Sequence, residues 1–353
     1  MFTDNKPICI MIGVFIMIIF STACKDTQTP EQPVRRIPGL HTEGRWIVNS
    51  DGDTLILRGV NIPSLEWTAT GDNMRSSFLQ AIDVWKCNFL RIPLSQDRWF
   101  GYTSEQADGG FAYRQLVQNL VALAESKDTY VWLDLHWSNG NIWGEYIGQH
   151  VMPDSNSLVF WKDVAQAYKN HPAVLFGLYN EPYGISWDIW RDGGELTEYY
   201  DRNGEDTYID YYAVGHQQLY DEIRALGADN IIIAAGLDWG FDLRGILEGY
   251  ALDGENIAYD THPYPWKNSD WDTYWADIGQ IYPVIVGEWG GGDGDGSYFA
   301  HITHFLRVNK FCWCAWCFHP SAGPQLLRDW DYNPTPFGVI VMQELAIPVE
   351  VND

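Results

Sequence analysis

The segment Val174-Leu-Phe-Gly-Leu-Tyr-Asn-Glu-Pro182 joins a continuous apolar run to a polar ending. Short continuous apolar runs are typical of parallel β-strands that are covered on both faces. A second segment, Val284-Ile-Val-Gly-Glu-Trp289, has the same construction. The two segments therefore predict two buried strands, each with a glutamate at its carboxyl end: Glu181 and Glu288.

Six further apolar runs complete a set of eight predicted strands, and the stretches between them have helical periodicity, as at Leu116, Leu120 and Leu123. The predicted strands span residues 56–61, 88–93, 130–136, 174–180, 231–236, 257–262, 283–288 and 311–318. Strands that alternate with helices in this number predict an α/β fold, the (β/α)₈ TIM barrel. A doubly wound open sheet is the alternative, but no glycine-rich phosphate loop follows the first strand. Ahead of the barrel, residues 45–57 predict a short N-terminal β-hairpin that turns at Asp51-Gly52.

The N-terminus has the pattern of an export signal. The apolar stretch from Ile8 to Phe20 follows Lys6 and is too short to span a bilayer. Ser21-Thr-Ala-Cys24 then resembles a bacterial lipoprotein cleavage box with Cys24 as the lipidated first mature residue, and a plain signal peptide is the alternative. We predict a lipoprotein-type signal peptide at 1–23, a flexible tether at 24–42 and a catalytic domain at 43–353. The predicted location is the bacterial cell envelope, with a lipid anchor in the outer membrane on its periplasmic or outer face.

Composition narrows the classes of partner. The formal net charge of −25 excludes nucleic acid and other polyanions and leaves neutral partners open. The 18 Trp and 20 Tyr residues provide rings that can stack on sugars, although many of them are expected in the core. Cys314-Ala-Trp-Cys317 has the spacing of a redox or zinc pair, but no second pair completes it. We therefore predict no metal, no cofactor, and buried structural thiols at Cys87, Cys312, Cys314 and Cys317.

Polar and aromatic residues gather at the carboxyl ends of the predicted strands, the face on which TIM barrels carry their active sites. These endings are Arg91-Ile-Pro93, Asp134-Leu-His136-Trp137, Asn180-Glu181-Pro182, His262-Pro-Tyr264 and Glu288-Trp289, with Trp316 in the eighth strand. Two glutamates in one concave site are what retaining glycoside hydrolysis requires, because one protonates the leaving oxygen and the other attacks the anomeric carbon. We predict such a site here, with Trp137, Trp239, Trp266 and Trp289 as aromatic residues that either stack on sugar or pack against loops.

The chain resembles glycoside hydrolase family 5, the cellulase-type retaining barrels, from about Arg45 to the C-terminal region. The resemblance rests on Asn180-Glu181-Pro182 and Glu288, and Leu57-Arg-Gly-Val-Asn61 supports it. The resemblance implies that Glu181 is the acid/base and Glu288 the nucleophile. It further implies the following substrate-binding and supporting roles: Asn180 at the 2-hydroxyl of the sugar, Arg91 and Tyr264 at the nucleophile, His136 and His262 around the cleavage subsite, and Trp316 as a stacking platform.

The implied function is hydrolysis of a β-linked neutral glucan by a retaining endo-β-glycosidase. A β-mannanase and a β-1,3-glucan hydrolase on the same frame are alternatives, and a non-catalytic lipid-anchored glycan-binding protein is the alternative of another class. The expected partners are a β-linked polysaccharide or oligosaccharide and, through the lipid anchor only, a membrane. We expect a monomer.

The proposed chemistry makes three demands on the site. The carboxyl groups should lie about 5–5.5 Å apart. Arg91 and Tyr264 should lower the pKa of the nucleophile, and Glu181 should have surroundings less favourable to its charge. Apart from these demands, the stretch from Tyr183 to Tyr212 is expected to be an expanded loop that either adjusts the choice of substrate or forms an acidic solvated surface.

Overall fold

The described part of the computed structural model, residues 1–2, 37–202, 204–291 and 296–349, begins with a small antiparallel sheet. Its strands are β1 (Leu40–Glu43), β2 (Trp46–Asn49) and β3 (Thr54–Leu55). β2 and β3 are the two arms of the predicted hairpin, and β1 pairs with β2 as a third strand. The predicted hairpin is therefore confirmed and is larger than expected. The signal peptide, Cys24 and residues 24–36 of the predicted tether lie outside the described residues and stay predictions. The predicted tether boundary at residue 42 is wrong, because Ile37 is buried in the core and Leu40 begins β1.

Eight parallel strands close into a barrel. The strands that follow the first sheet are β4 (Arg58–Asn61), β5 (Phe89–Ser95), β6 (Tyr130–Trp137), β7 (Val174–Gly177), β8 (Gly194–Arg202), β9 (Glu205–Ala213), β10 (Ile232–Ala235), β11 (Ile257–Thr261), β12 (Val284–Val286) and β13 (Cys312–Ala315). β8 and β9 pair only with each other, and the other eight form the barrel in chain order, with β13 beside β4. Each barrel strand overlaps one predicted strand, so the predicted TIM barrel is confirmed.

Helices cover the outside of the barrel. They are α1 (Met74–Leu79), α2 (Gln96–Phe100), α3 (Phe111–Glu125), α4 (Ser155–Tyr168), α5 (Trp187–Asp192), α6 (His216–Ala225), α7 (Gly296–Asn309) and α8 (Pro336–Ala346), besides shorter helical turns. Three begin at side-chain caps: Asp154 accepts hydrogen bonds from the first turn of α4, Ser186 accepts from the Ile189 N–H of α5, and Thr335 caps α8, in which Pro336 occupies the first position. No helix in the described part is long and apolar enough to cross a membrane.

Side chains alternate along the barrel strands, and this alternation places a layer of polar residues at the carboxyl end of the barrel. On β5, Leu90, Ile92 and Leu94 belong to the large core between barrel and helices, while Phe89 belongs to the smaller core inside the barrel. Because strand side chains alternate between the two faces, Arg91 points inward directly above Phe89. The same period of two places Asp134 and His136 above Trp132, and Asp260 and His262 above Ala258. Buried apolar side chains thus support a polar layer at the carboxyl end of the barrel.

The stretch from Tyr183 to Tyr212 differs from the expected loop. It contains α5 and a long β-hairpin, in which β8 and β9 pair from Gly194↔Ala213 to Arg202↔Glu205. The sequence signal is Asn203-Gly204, a dipeptide typical of two-residue hairpin turns, between strand-forming runs rich in Tyr, Thr and Ile. This insertion after β7 is an ordered element.

The four described cysteines, Cys87, Cys312, Cys314 and Cys317, are free thiols and buried, as predicted.

Candidate active site

A cleft with about 520 Å³ of space opens at the carboxyl ends of the barrel strands. Six of the eight predicted site residues line it: His136, Asn180, Glu181, Tyr264, Glu288 and Trp316. The other two, Arg91 and His262, are fully buried beneath the cleft and reach it only through other side chains. Both therefore act on the carboxylates, which corrects the expectation that His262 lines the subsite itself.

Glu288 is held from two sides. Arg91 Nη1 donates to its Oε1 at 2.5 Å, and the hydroxyl of Tyr264 donates to its Oε2 at 2.8 Å. The Glu288 side chain is only 5% exposed, so these bonds act where water does not compete. One carboxylate oxygen is thus fixed by a cation and the other by a neutral donor, as the sequence predicted.

Glu181 follows β7 by four residues and is the more exposed carboxylate, with 20% of its side chain accessible. His262 Nδ1 lies 2.8 Å from its Oε1 and 3.8 Å from Glu288 Oε2. Oxygens of the two carboxylates lie within 4.8 Å of one another, with the His262 nitrogen inside the same group. The two carboxylates are therefore close enough to flank one glycosidic bond.

His262 couples the two glutamates to a third acid. Its Nε2 lies 3.0 Å from Asp260 Oδ2, and Asp260 Oδ1 accepts from the backbone N–H of Gly287 at 2.8 Å. Burial alone would lower the pKa of His262, but Glu288, Asp260 and Glu181 raise it to about 10. The three carboxylates around His262 therefore favour its charged form.

The guanidinium of Arg91 contacts four polar side chains. Besides Glu288, it donates to Asn61 at 3.0 Å and to Asn180 at 2.6 Å, and it lies 2.9 Å from Asp134 Oδ2. Burial opposes its charge, but Asp134, Glu288 and Asp260 raise its pKa above the usual value. A planar fork with several donors suits this position, because it can hold two carboxylates and two amides at once.

His136 and Trp316 line the cleft as a stacked pair. Their rings stack at 5.5 Å with planes 8° apart, and the indole N–H of Trp316 donates to the carbonyl of Gly323 at 3.1 Å. His136 Nδ1 is 2.8 Å from Asp134 Oδ2, which fixes the plane of the imidazole. The carboxylate of Asp134 thus orients both His136 and Arg91.

The four tryptophans that were predicted either to stack on sugar or to pack against loops lie in different environments. Trp239 and Trp266 line the cleft, and Trp266 is 66% exposed and stacks on Tyr264 at 4.6 Å. Trp239 stacks on the ring of Tyr183 at 4.5 Å, and the ammonium of Lys267 lies 4.9 Å from its ring centroid. Trp289 is fully buried in the core, and Trp137 is not among the lining residues.

Sequence reasoning did not assign roles to four residues that complete the site. Asp134 and Asp260 lie two residues before His136 and His262, a spacing that places each pair on one strand face and could have identified them. Asn61 ends β4 and donates to the carbonyl of Gly287 at 2.8 Å. Gln149, in the loop after β6, had no recognisable signal in the sequence.

Glu66 is a buried acid behind the cleft. Burial raises its pKa to about 7, with His136 acting in the opposite direction, and its Oε2 accepts from the Ser64 N–H at 2.7 Å. Since the ordinary value is 4.5, its contribution to stability is full below about pH 4.5 and is lost as the pH rises to about 7.

We expect Glu66→Gln to match the wild type in stability at pH 4 and to be more stable by up to about 3 kcal/mol at pH 8. The amide keeps an acceptor for Ser64 and removes the buried charge. Urea unfolding at the two pH values measures the difference, with the exposed Glu195→Gln as the matched control. Equal stability of Glu66→Gln and wild type at pH 8 would contradict the prediction.

Comparisons with known proteins agree with this geometry. The sequence profile of the cellulases (glycosyl hydrolase family 5) matches residues 48–322, more than three quarters of the chain. An endoglucanase of Paenibacillus polymyxa is 25% identical over 351 residues, covering 82% of this chain and 83% of that protein. Endoglucanase A of Butyrivibrio fibrisolvens is 24% identical, and the match covers 73% of this chain but only 53% of that longer protein.

Solved structures show the same fold. A β-glucanase from Saccharophagus degradans superimposes with a TM-score of 0.70 at 23% identity, covering 88% of this chain and 94% of that one. The catalytic domain of a Thermobifida fusca endoglucanase superimposes with a TM-score of 0.64 at 16% identity, covering 88% and 97%. The barrel, its glutamate-bearing cleft and the profile match together show that the chain is a glycoside hydrolase and belongs to glycosyl hydrolase family 5, the cellulase family.

Proposed function

We propose that the chain is a retaining endo-β-glycosidase that cleaves a neutral β-linked glucan, with Glu288 as nucleophile and Glu181 as acid/base. The observation that carries the proposal is the pair of carboxylates with oxygens within 4.8 Å of one another and with different partners. Glu288 has the Arg91 guanidinium on one oxygen and the Tyr264 hydroxyl on the other, which hold the proposed nucleophile in one orientation. Glu181 is more exposed to the cleft, where it can reach a leaving oxygen.

The reaction takes two displacements. In the first, a Glu288 oxygen bonds to the anomeric carbon while the bond to the leaving oxygen breaks and Glu181 gives that oxygen its proton. In the second, Glu181 takes a proton from water, the water oxygen bonds to the anomeric carbon, and Glu288 leaves as a carboxylate. Two inversions give net retention. His262 Nδ1 lies 2.8 Å from Glu181 and 3.8 Å from Glu288, so one buried side chain orients the pair.

The preference for glucan rests on the relatives and on the shape of the site. The relatives named above are endoglucanases, and the structure of the Saccharophagus enzyme is also known with cellotetraose. A second pocket of about 490 Å³, lined by Trp67, Asp72, His319 and Trp330, shares the loop after β13 with the catalytic cleft. Two adjoining aromatic-lined spaces fit a chain of several sugars better than a single sugar.

We expect Trp67→Ala to raise KM for a long β-glucan by about tenfold, since loss of one stacking ring costs about 1–2 kcal/mol. A short aryl β-cellobioside that does not reach this pocket should be cleaved with unchanged KM and kcat. Steady-state kinetics on both substrates measure the contrast. Trp330→Ala is the matched variant at another aromatic residue of the same pocket. An equal rise of KM on both substrates would contradict an extended binding site.

The test of the function is hydrolysis of β-1,4-glucan, xyloglucan, β-mannan and β-1,3-glucan by the protein from Lys25 onward. Release of reducing sugar from β-1,4-glucan, with the new anomeric centre in the β form by early NMR spectra, supports the proposal. A preference for β-mannan or β-1,3-glucan selects one of the alternatives on the same frame. Binding of these polymers without any product would favour the non-catalytic glycan-binding protein.

We also propose that the chain is exported and anchored by a lipid on Cys24, with the segment between Cys24 and the first sheet as a tether. The support is the pattern of Lys6, the apolar stretch and the Ser21-Thr-Ala-Cys24 box. Labelled palmitate should be incorporated into the full chain in a bacterial host and should be absent from Cys24→Ser. Incorporation of palmitate into both the wild type and Cys24→Ser would show that the lipid is attached to another residue.

A further inference from the structure

The hairpin of β8 and β9 presents different chemistry on its two faces. Exposed residues such as Tyr199 and Tyr208 alternate with inward ones that join Met152 in a small apolar cluster. On the inward face lies Glu198, an acid that is only 4% exposed. A carboxylate buried under an inserted hairpin is costly unless it is paired and hydrogen-bonded, so its partners indicate what it serves.

Glu198 holds the loop after β6. Its Oε2 accepts from the Val151 N–H at 3.2 Å and from the Tyr211 hydroxyl at 3.0 Å, and it lies 3.1 Å from His150 Nδ1. His150 Nε2 faces the carbonyl of Tyr146 at 2.5 Å. Both imidazole nitrogens therefore face acceptors, so the ring donates twice and carries the positive charge that balances Glu198.

The residue before His150 reaches the catalytic strand ending. Gln149 Nε2 donates to the carbonyl of Glu181 at 3.2 Å, and Gln149 Oε1 accepts from Asn180 Nδ2 at 3.0 Å. The Asn180 amide oxygen is already taken by Arg91. Its amide plane is thus fixed at both ends, and one N–H of Nδ2 is left for a substrate hydroxyl.

We propose that Gln149 is a positioning residue for Asn180 and that the hairpin, through Glu198 and His150, holds Gln149 in place. This inference rests on the proposed function, in which the Asn180 amide binds the 2-hydroxyl of the sugar being cleaved. Hydrogen bonds to that hydroxyl strengthen in the transition state of retaining glycosidases. The inserted hairpin therefore contributes to the rate without touching the sugar.

The test compares two substrates, an aryl β-cellobioside and its analogue without the 2-hydroxyl on the sugar being cleaved. Gln149→Leu keeps the size of the side chain and removes its hydrogen bonds with Asn180 and with the carbonyls of Glu181 and His150. We expect it to lower kcat/KM on the parent by about tenfold or more and to leave kcat/KM on the 2-deoxy analogue within about twofold of wild type. A merely structural defect would lower kcat/KM on both substrates by the same factor, and that result would overturn the proposal.

Glu198→Gln tests the remote half of the proposal, with Glu195→Gln as the matched control on the exposed face of the same strand. Glu198→Gln should show the same selective loss as Gln149→Leu, about three- to tenfold on the parent only, and Glu195→Gln should match wild type. A uniform loss on both substrates for Glu198→Gln would overturn the role of the hairpin.

A crystal structure of Gln149→Leu keeps this inference separate from the proposed function. A changed Asn180 amide plane supports positioning, and an unchanged plane overturns it, whatever the activity. If the wild type cleaved neither cellobioside, the proposed function would be wrong, and the structure of the variant would still decide the role of Gln149.

Discussion

Replacing Glu288 by Gln is expected to lower kcat on β-1,4-glucan by at least about 10⁴-fold, a loss typical of removing the nucleophile from an enzyme with a covalent intermediate. The amide has nearly the same shape and can still accept from Arg91, so the barrel should remain folded. The loss should be equally severe on aryl cellobiosides with good and poor leaving groups. Initial rates on the polymer and on the aryl series measure it, with the exposed Glu248→Gln as the control.

Glu181→Gln should behave differently on the same substrates. On the polymer the loss is expected to be about 10²–10⁴-fold, the usual contribution of a general acid. On a dinitrophenyl cellobioside, whose leaving group needs no proton, the first displacement should stay fast, and the glycosyl-enzyme should accumulate. The opposite pattern would contradict this assignment. If Glu181→Gln lost activity severely on every aryl cellobioside, and the loss for Glu288→Gln depended on the leaving group, Glu181 would be the nucleophile and Glu288 the acid/base.

Azide distinguishes the roles by stereochemistry. With Glu288→Ala, azide can take the place of the missing nucleophile in one displacement and should give the inverted glycosyl azide. With Glu181→Ala, azide should replace water in the second displacement, needs no base, and should give the retained product. NMR of the isolated azides identifies each anomer. The same anomer from both variants would be incompatible with one nucleophile and one acid/base.

The strands and their endings were predictable because burial on both faces leaves a strong mark on a parallel strand. All eight barrel strands overlap their predicted runs, and the glutamates follow β7 and β12. Strand boundaries were less accurate: the first barrel strand begins at Arg58 rather than at 56, since Ile56 and Leu57 lie between β3 and β4. Apolar patterning reports burial, and it does not report where hydrogen bonding to the next strand begins.

The parts that sequence reasoning missed depend on contacts between distant segments. Trp289 and Trp266 both follow site residues closely, but one fills the core and the other lies at 66% exposure in the cleft. Nothing local distinguishes them. Gln149 was missed for the same reason, because its partners Asn180 and Glu181 are about 30 residues away along the chain. The hairpin had a local signal in Asn203-Gly204, which was outweighed by the acidic, loop-like composition around it.

Replacing Arg91 by Met should cost about 3–5 kcal/mol of unfolding free energy, the range for breaking a buried ion pair from one side. Arg91 is fully buried, and Met fills much of its volume, so the main effect is electrostatic. Asp134 and Glu288 would then share one buried layer without the guanidinium between them. Arg244 provides the control: its ion pair with Asp242 is on the surface, and Arg244→Met should cost no more than about 1 kcal/mol.

The double variant Arg91→Met/Asp134→Asn identifies the cause of that cost. If an uncompensated carboxylate causes the instability, removing the charge of Asp134 should make the double variant more stable than Arg91→Met alone, with a coupling of about 1–3 kcal/mol. Urea unfolding of the four proteins in the cycle measures it at neutral pH. If the cost came instead from lost packing against Trp132, over which the guanidinium lies at 4.6 Å, the two changes would simply add. A coupling near zero would therefore contradict the electrostatic account and would make Arg91 a packing residue that also contacts the nucleophile.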